Sequence, residues 1–133
     1  MKNATINRCV IYTRVALSEQ RGNDTSLDTQ RESLMRWATA AGVPVVESFE
    51  DVASGATGAR RIELDQLLDA IGPGDVVAVL RLDRLARDPQ TVVRTVRRIL
   101  RAGARCVSLD EGEFDGSPAA ELKLSILANA AVG

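Results

Sequence analysis

The sequence predicts an α/β domain in which a parallel sheet is covered by helices on both faces. Two observations carry that prediction: four short β-branched apolar runs bounded by Gly or Pro, and segments of helical period that alternate strictly with them. Such alternation implies right-handed βαβ crossovers, hence a parallel sheet in three layers. At 133 residues the chain fits one compact domain whose core needs no disulfide or metal staple.

The first apolar run, Cys9-Val10-Ile11-Tyr12, reads as a strand. Arg21-Gly22-Asn23-Asp24-Thr25 is polar and turn-rich and is expected to be a mobile loop. The first helix spans Leu27 to Ala41, with Leu27, Leu34, Trp37, Ala38 and Ala41 at helical spacing, Ser26 as cap and Gly42 as stop. Val45 to Phe49 is the second strand. A second helix runs from about Ile62 to Ile71, with Leu64, Leu67, Leu68 and Ile71 on one face, and Gly72-Pro73-Gly74 ends it. Val76 to Leu80 is a strand of the fully buried type. Asp88-Pro89, a cap followed by proline in the first turn, opens a third helix carrying Val92, Val96, Ile99 and Leu100 up to Gly103. Cys106 to Leu109 is the fourth strand, and Ser117-Pro118 opens a fourth helix with Leu122, Ile126 and Leu127 as its apolar stripe. In the flavodoxin-like strand order 2-1-3-4, the first and third strands meet at the switch point. Thr13-Arg14-Val15-Ala16 then faces Arg81 to Arg87.

Composition narrows the chemistry. Cys9 and Cys106 both lie in apolar runs, so buried reduced thiols are expected rather than a disulfide. With no histidine and no Cys-x-x-Cys spacing, structural zinc lacks its usual ligands and histidine base catalysis is excluded. Residues 1–7 lack the apolar core of a signal peptide and no stretch approaches a membrane span, so a soluble cytoplasmic protein is expected. A net charge of −1 argues against binding nucleic acid by bulk electrostatics, so any DNA contact would be local. Fifteen Arg stand against two Lys, and Arg suits bidentate phosphate recognition. Coding bias produces the same excess, so position must decide which arginines matter.

Position singles out Arg81-Leu82-Asp83-Arg84-Leu85-Ala86-Arg87-Asp88, three guanidiniums and two carboxylates directly after the third strand. Ligands of open α/β sheets bind at that end of the strands. Arg84 and Arg87, three apart, share a face of a helical turn, and Arg14 approaches from the neighbouring strand end. Guanidiniums converging on one point repel each other unless an anion sits between them, and phosphate fits. Surface pairing among Asp83, Arg84, Arg87 and Asp88 accounts for the same residues without a ligand, and spacing alone does not separate the two readings. The run Arg94, Arg97, Arg98 and Arg101 on the third helix reads as a solvated face or as a surface for DNA or a partner. Trp37 reads as core packing rather than as a stacking platform for bases.

Five motifs in order, Tyr12-Thr13-Arg14-Val15-x-x-Ser18-Glu19-Gln20, Ser26-Leu27-x-x-Gln30, Phe49-x-Asp51-x-x-Ser54-Gly55, Gly74-Asp75-Val76 and Leu82-Asp83-Arg84-Leu85-x-Arg87, span nearly the whole chain. Together they resemble the catalytic domain of the serine recombinases, the resolvase, invertase and large integrase family. The loop at Arg21 to Thr25 resembles that of the large integrases. The resemblance implies a resolvase-like fold and site-specific DNA recombination, with integration, excision, inversion and resolution all open. A serine attacks the scissile phosphodiester and forms a 5′-phosphoserine link, without metal or nucleotide cofactor. It also implies that Arg14, Arg84 and Arg87 bind and activate the scissile phosphate, that Asp83 supports them, and that Gln20, Gln30, Asp51 and Asp75 stand behind them. A further family arginine precedes the second helix. The spacing to Leu64 and Leu67-Leu68 favours Arg61 over the adjacent Arg60.

The serine of that family falls directly after Arg-Val, and here the position holds Ala16. A methyl group cannot attack phosphorus, and loss of a covalent nucleophile costs on the order of a millionfold in rate. The chain is therefore expected to bind phosphate without cleaving. An engineered replacement, a naturally non-catalytic regulator or assembly module that keeps the fold, and attack by Ser18 are the three explanations. The third requires a displacement far outside near-attack tolerance. The resemblance further implies a long dimerisation helix, a separate DNA-binding region and assembly into dimers or tetramers. Residues 1–133 are expected to be a catalytic fragment that binds DNA weakly alone.

Overall fold

The computed structural model describes residues 8–16, 26–53, 62–86 and 88–130. In chain order the elements are β1 (Arg8–Ala16), α1 (Leu27–Ala41), β2 (Val45–Ala53), α2 (Ile62–Ala70), β3 (Asp75–Val79), a 3-10 turn (Leu82–Arg84), α3 (Pro89–Arg101), β4 (Arg105–Ser108), β5 (Gly112–Phe114) and α4 (Pro118–Ala130). The sheet order is β2-β1-β3-β4-β5, parallel from β2 to β4 and antiparallel between β4 and β5. The expected 2-1-3-4 order is present, extended by an edge strand absent from the sequence reading. Three residues are too few for any period to show.

Local chemistry explains the helix bounds. The Ser26 hydroxyl accepts from the Thr29 amide at the start of α1, and Asp88 does the same for Thr91 at α3, with Pro89 in the first turn. At the end of α1, Gly42 adopts φ +73°, and its N–H returns to the carbonyls of Ala38 and Thr39. Gly103, after α3, has φ +87°, and a Cβ there would lie 3.1 Å from the Pro73 Cα.

The two faces of the sheet are covered unequally. On one face Cys9, Ile11, Val76, Ala78 and Val107 pack under α1, through Leu34 and the half-buried Trp37. On the other, Val10, Tyr12, Phe49, Val77, Val79, Cys106 and Phe114 pack under three helices, with Leu64, Leu67, Val96, Ile99 and Leu124 among the filling residues. A right-handed crossover explains the split, because β1→β2 moves across the sheet in the direction opposite to β2→β3→β4. Both thiols are buried and reduced, and burial pushes each up to about 12.

The expected stripe on α4 is right at Leu127 and wrong at its other two positions. Leu122 and Ile126 are 62% and 59% exposed, whereas Ala120 and Leu124 are buried, with Leu127 and Ala128 packed beside them. The small Ala120 sets the register of the buried face and carried no weight beside the larger leucine and isoleucine.

That correction yields a paired test. Leu124→Ala should cost about 2–5 kcal/mol by denaturant unfolding, while Leu122→Ala should stay within about 0.5 kcal/mol of the parent protein.

Candidate active site

β1 outruns its neighbour. It pairs with β3 only from Arg8 to Ile11, whereas its ladder with β2 continues from Tyr12 to Ala16. The residues expected just past the first strand, Thr13 to Ala16, are therefore its last turnless stretch, and Arg14 sits within β1 opposite Asp51 of β2.

Backbone groups on a buried strand need partners. Side chains provide them at Arg14. Gln30, fully buried on α1, accepts from the Arg14 N–H at 3.3 Å through Oε1 and donates to its carbonyl at 2.9 Å through Nε2. The Arg84 Nη1 donates to the same carbonyl at 3.0 Å. Arg14 and Arg84 are each only 6% exposed, and the Arg84 side chain is held against the Arg14 backbone at the carboxyl end of the sheet.

Arg84 reaches that corner from the 3-10 turn. Its Nε donates to Asp83 at 2.9 Å, and Arg81 approaches the same Asp83 oxygen at 3.4 Å. Partial burial alone would raise the Asp83 carboxyl, but the hydrogen bond from Arg84 and the charges of Arg84 and Arg81 hold it below the usual carboxylate range. Asp83 thus stays ionised and fixes the plane of the Arg84 guanidinium. The pairing expected between Asp83 and Arg84 is present, and Asp88 caps α3.

Asp51 acts one step further back. Its carboxylate accepts from the Glu63 and Leu64 amides at 3.0 and 3.1 Å and from the Tyr12 hydroxyl at 2.8 Å. A buried acid on β2 therefore caps the N-terminus of α2 from a distance and holds the start of that helix against the sheet.

Asp75 does not join the site, contrary to expectation. It begins β3, at the opposite end of a strand that advances about 3.3 Å per residue toward Arg81. There it pairs with Arg8 at 2.7 Å and accepts from the Gly72 amide at 2.8 Å. The hydrogen bond from Arg8 and that from Gly72 hold Asp75 below the usual carboxylate range against its burial. Gln20, Arg60, Arg61, Arg87, Ser18 and the loop Arg21 to Thr25 lie outside the described residues.

A buried guanidinium, fixed by Asp83 and the Arg14 carbonyl beside the strand ends, is the kind of donor that can stabilise an oxyanion. Residues 9–131 match the resolvase N-terminal domain family. The chain belongs to that family.

As a serine recombinase N-terminal domain it is 32% identical over 116 residues to the transposon Tn3 resolvase of Escherichia coli, covering 87% of this chain and 57% of the relative. It is 40% identical over 86 residues to the transposon Tn501 resolvase of Pseudomonas aeruginosa, covering 62% and 46% respectively. The crystal structure of the N-terminal catalytic domain of TP901-1 integrase superimposes with a TM-score of 0.71 at 26% identity, covering 93% of both chains. The chain therefore spans about half the length of these curated relatives.

Within this resolvase-type domain, two arginines of α3 tie it to neighbouring helices. Arg97 pairs with Glu121 of α4, Arg98 with Asp69 of α2, and Arg94 donates to Thr91 on its own helix. Among the described residues no group of three or more His, Cys, Asp or Glu is placed to hold a metal ion, and no helix is long and apolar enough to cross a membrane.

Two measurements check these assignments. Asp51→Ala strands two amides and a hydroxyl and should cost about 2–4 kcal/mol in denaturant unfolding, with Asp51→Asn recovering part of it. Because the folded-state pKa of Asp75 is depressed, its contribution is present above its unfolded value near 4 and is lost as pH falls through the folded value. Asp75→Asn should therefore flatten the acid limb of the stability–pH curve below about pH 4.

Proposed function

We propose that this chain is the catalytic domain of a site-specific DNA recombinase, and that Arg14 and Arg84, with Arg87 and Arg61, hold the scissile phosphodiester. The observation that carries the reading is the 3.0 Å bond from Arg84 to the Arg14 carbonyl, which locks the cation after β3 onto the strand bearing the second cation. On this reading the guanidiniums neutralise charge growing on the non-bridging phosphate oxygens. Asp83 orients Arg84, Gln30 braces the Arg14 backbone, and Asp51 braces the start of α2. Gln20 belongs to the same surroundings by its place in the motif.

In the reaction a serine hydroxyl forms a bond to phosphorus, its proton leaves, and the 3′ oxygen departs as the 5′ phosphate becomes serine-linked. Reversal at a new partner strand rejoins the DNA. Ala16 ends β1, and its methyl group provides no nucleophile. This chain therefore binds the phosphodiester and leaves it intact. DNA is the partner, self-association belongs to the whole protein, no metal or nucleotide takes part, and the site of action is the cytoplasm.

The test restores the missing oxygen. Ala16→Ser in the whole protein, incubated with nicked recombination-site DNA, should yield a protein–DNA adduct that survives denaturant and sits on the 5′ end. Adding Arg84→Ala should abolish the adduct. If the serine variant forms none while still binding DNA, the domain is a non-catalytic module and the enzyme reading fails.

A further inference from the structure

The 3-10 turn that presents Asp83 and Arg84 lacks a cap of its own. Arg81 occupies the cap position in extended geometry, and its side chain makes no capping bond. The first N–H groups of any helical turn have no partner within it, so the Leu82 amide must find an acceptor elsewhere. It finds one 29 residues away: Glu111, in the turn between β4 and β5, accepts from Leu82 N–H at 3.0 Å through Oε1.

Glu111 is itself aimed. The hydroxyl of Ser108, a residue buried at the end of β4, donates to the same Oε1, and the Glu111 N–H donates to the Ser108 Oγ at 3.1 Å. The register places these partners, because Ser108 lies opposite Val79, and the chain beyond continues alongside β3 through Leu109 N–H to Val79 O and Asp110 N–H to Leu80 O. From the other side, Lys123 of α4 donates to the carbonyls of Glu111 and Glu113 at 3.3 and 3.2 Å. The hairpin is thus held at both flanks while its carboxylate reaches the turn.

We infer that Glu111, oriented by Ser108, is a positioning residue for Arg84: it caps the arginine-bearing turn in trans and sets where the guanidinium stands. This rests on the phosphate-binding reading of Arg84 above, and it assigns a function to an acid outside every motif of the sequence. A charge-assisted bond to a backbone amide is among the stronger single contacts available to a short turn. Its removal frees Leu82 and lets the turn rotate, which swings Arg84 off the Arg14 carbonyl.

The test uses the 133-residue chain labelled with 15N. Three quantities are read: amide exchange at Leu82, the Arg84 Nε resonance identified by its loss in Arg84→Lys, and the displacement of that resonance by inorganic phosphate. Glu111→Ala should speed Leu82 exchange by about tenfold, move the Arg84 resonance and weaken phosphate binding several-fold, with Val77 still protected. Glu111→Gln, which keeps an acceptor oxygen, should recover most of this, and Glu113→Ala, a neighbouring carboxylate paired with Arg105, should change none of it. Unchanged Leu82 exchange and an unmoved Arg84 resonance in Glu111→Ala overturn the inference. Should that variant fail to fold, Ser108→Ala carries the same comparison, and an unmoved Arg84 resonance there overturns it equally. If phosphate moves no Arg84 resonance in the parent chain, the phosphate reading falls, while the ligand-free comparison still decides the role of Glu111.

Discussion

A strand that continues beyond the end of its neighbour governs the candidate site. From Tyr12 onward β1 has β2 on one side and, among the described residues, no strand on the other, yet it remains buried through Val15. Its peptide groups there must be satisfied by side chains, because an unpaired buried amide or carbonyl costs about as much as a lost hydrogen bond. Gln30 imitates the missing strand, and Arg84 takes the carbonyl's remaining capacity. A cation is thus recruited to close a gap in a sheet. Lysine could not substitute, since one ammonium lacks the forked geometry that serves Asp83 through Nε and the Arg14 carbonyl through Nη1 together.

Buried carboxylates tie the loops to both ends of the sheet in similar fashion. Asp51 gathers two amides and a phenol at the carboxyl end, and Asp75 gathers an amide and a guanidinium at the amino end. Each sits where a crossover meets a strand, so each fixes a chain direction that apolar packing alone leaves free. A carboxyl group that is 8% or 4% exposed is tolerable only with such partners. Asp83 differs, for it is half exposed and its ion-pair partners among the described residues are Arg81 and Arg84.

Much of this was legible in the residue order. Helix starts and stops are written by adjacent residues, so Ser26, Gly42, Asp88-Pro89 and Ser117-Pro118 marked their bounds without tertiary information. Arg14 and Arg84 were legible because charge directly after or within an apolar strand is informative on its own. Asp75 was misplaced because a motif says which residues travel together in a family and not which end of a parallel strand they occupy. Glu111 was invisible for a related reason: only the β3–β4 register brings it beside Leu82. An acid just past a strand that adjoins the arginine-bearing strand was the available signal. On α4 the buried face runs through Ala120 and Leu124, and leucines at both 122 and 124 left the choice of face open to residue type alone.

The two cysteines give the fold a pair of internal gauges. Cys9 on β1 belongs to the layer under α1, and Cys106 on β4 to the layer under the other three helices, with β3 between their strands. Both thiols are fully enclosed and held protonated far above neutral pH, so neither meets an alkylating reagent until its own layer lifts. The rate at which each is modified therefore times the opening of one side of the sheet independently of the other. A single-helix roof and a three-helix roof cover opposite faces of one sheet, and the chain carries a separate clock beneath each.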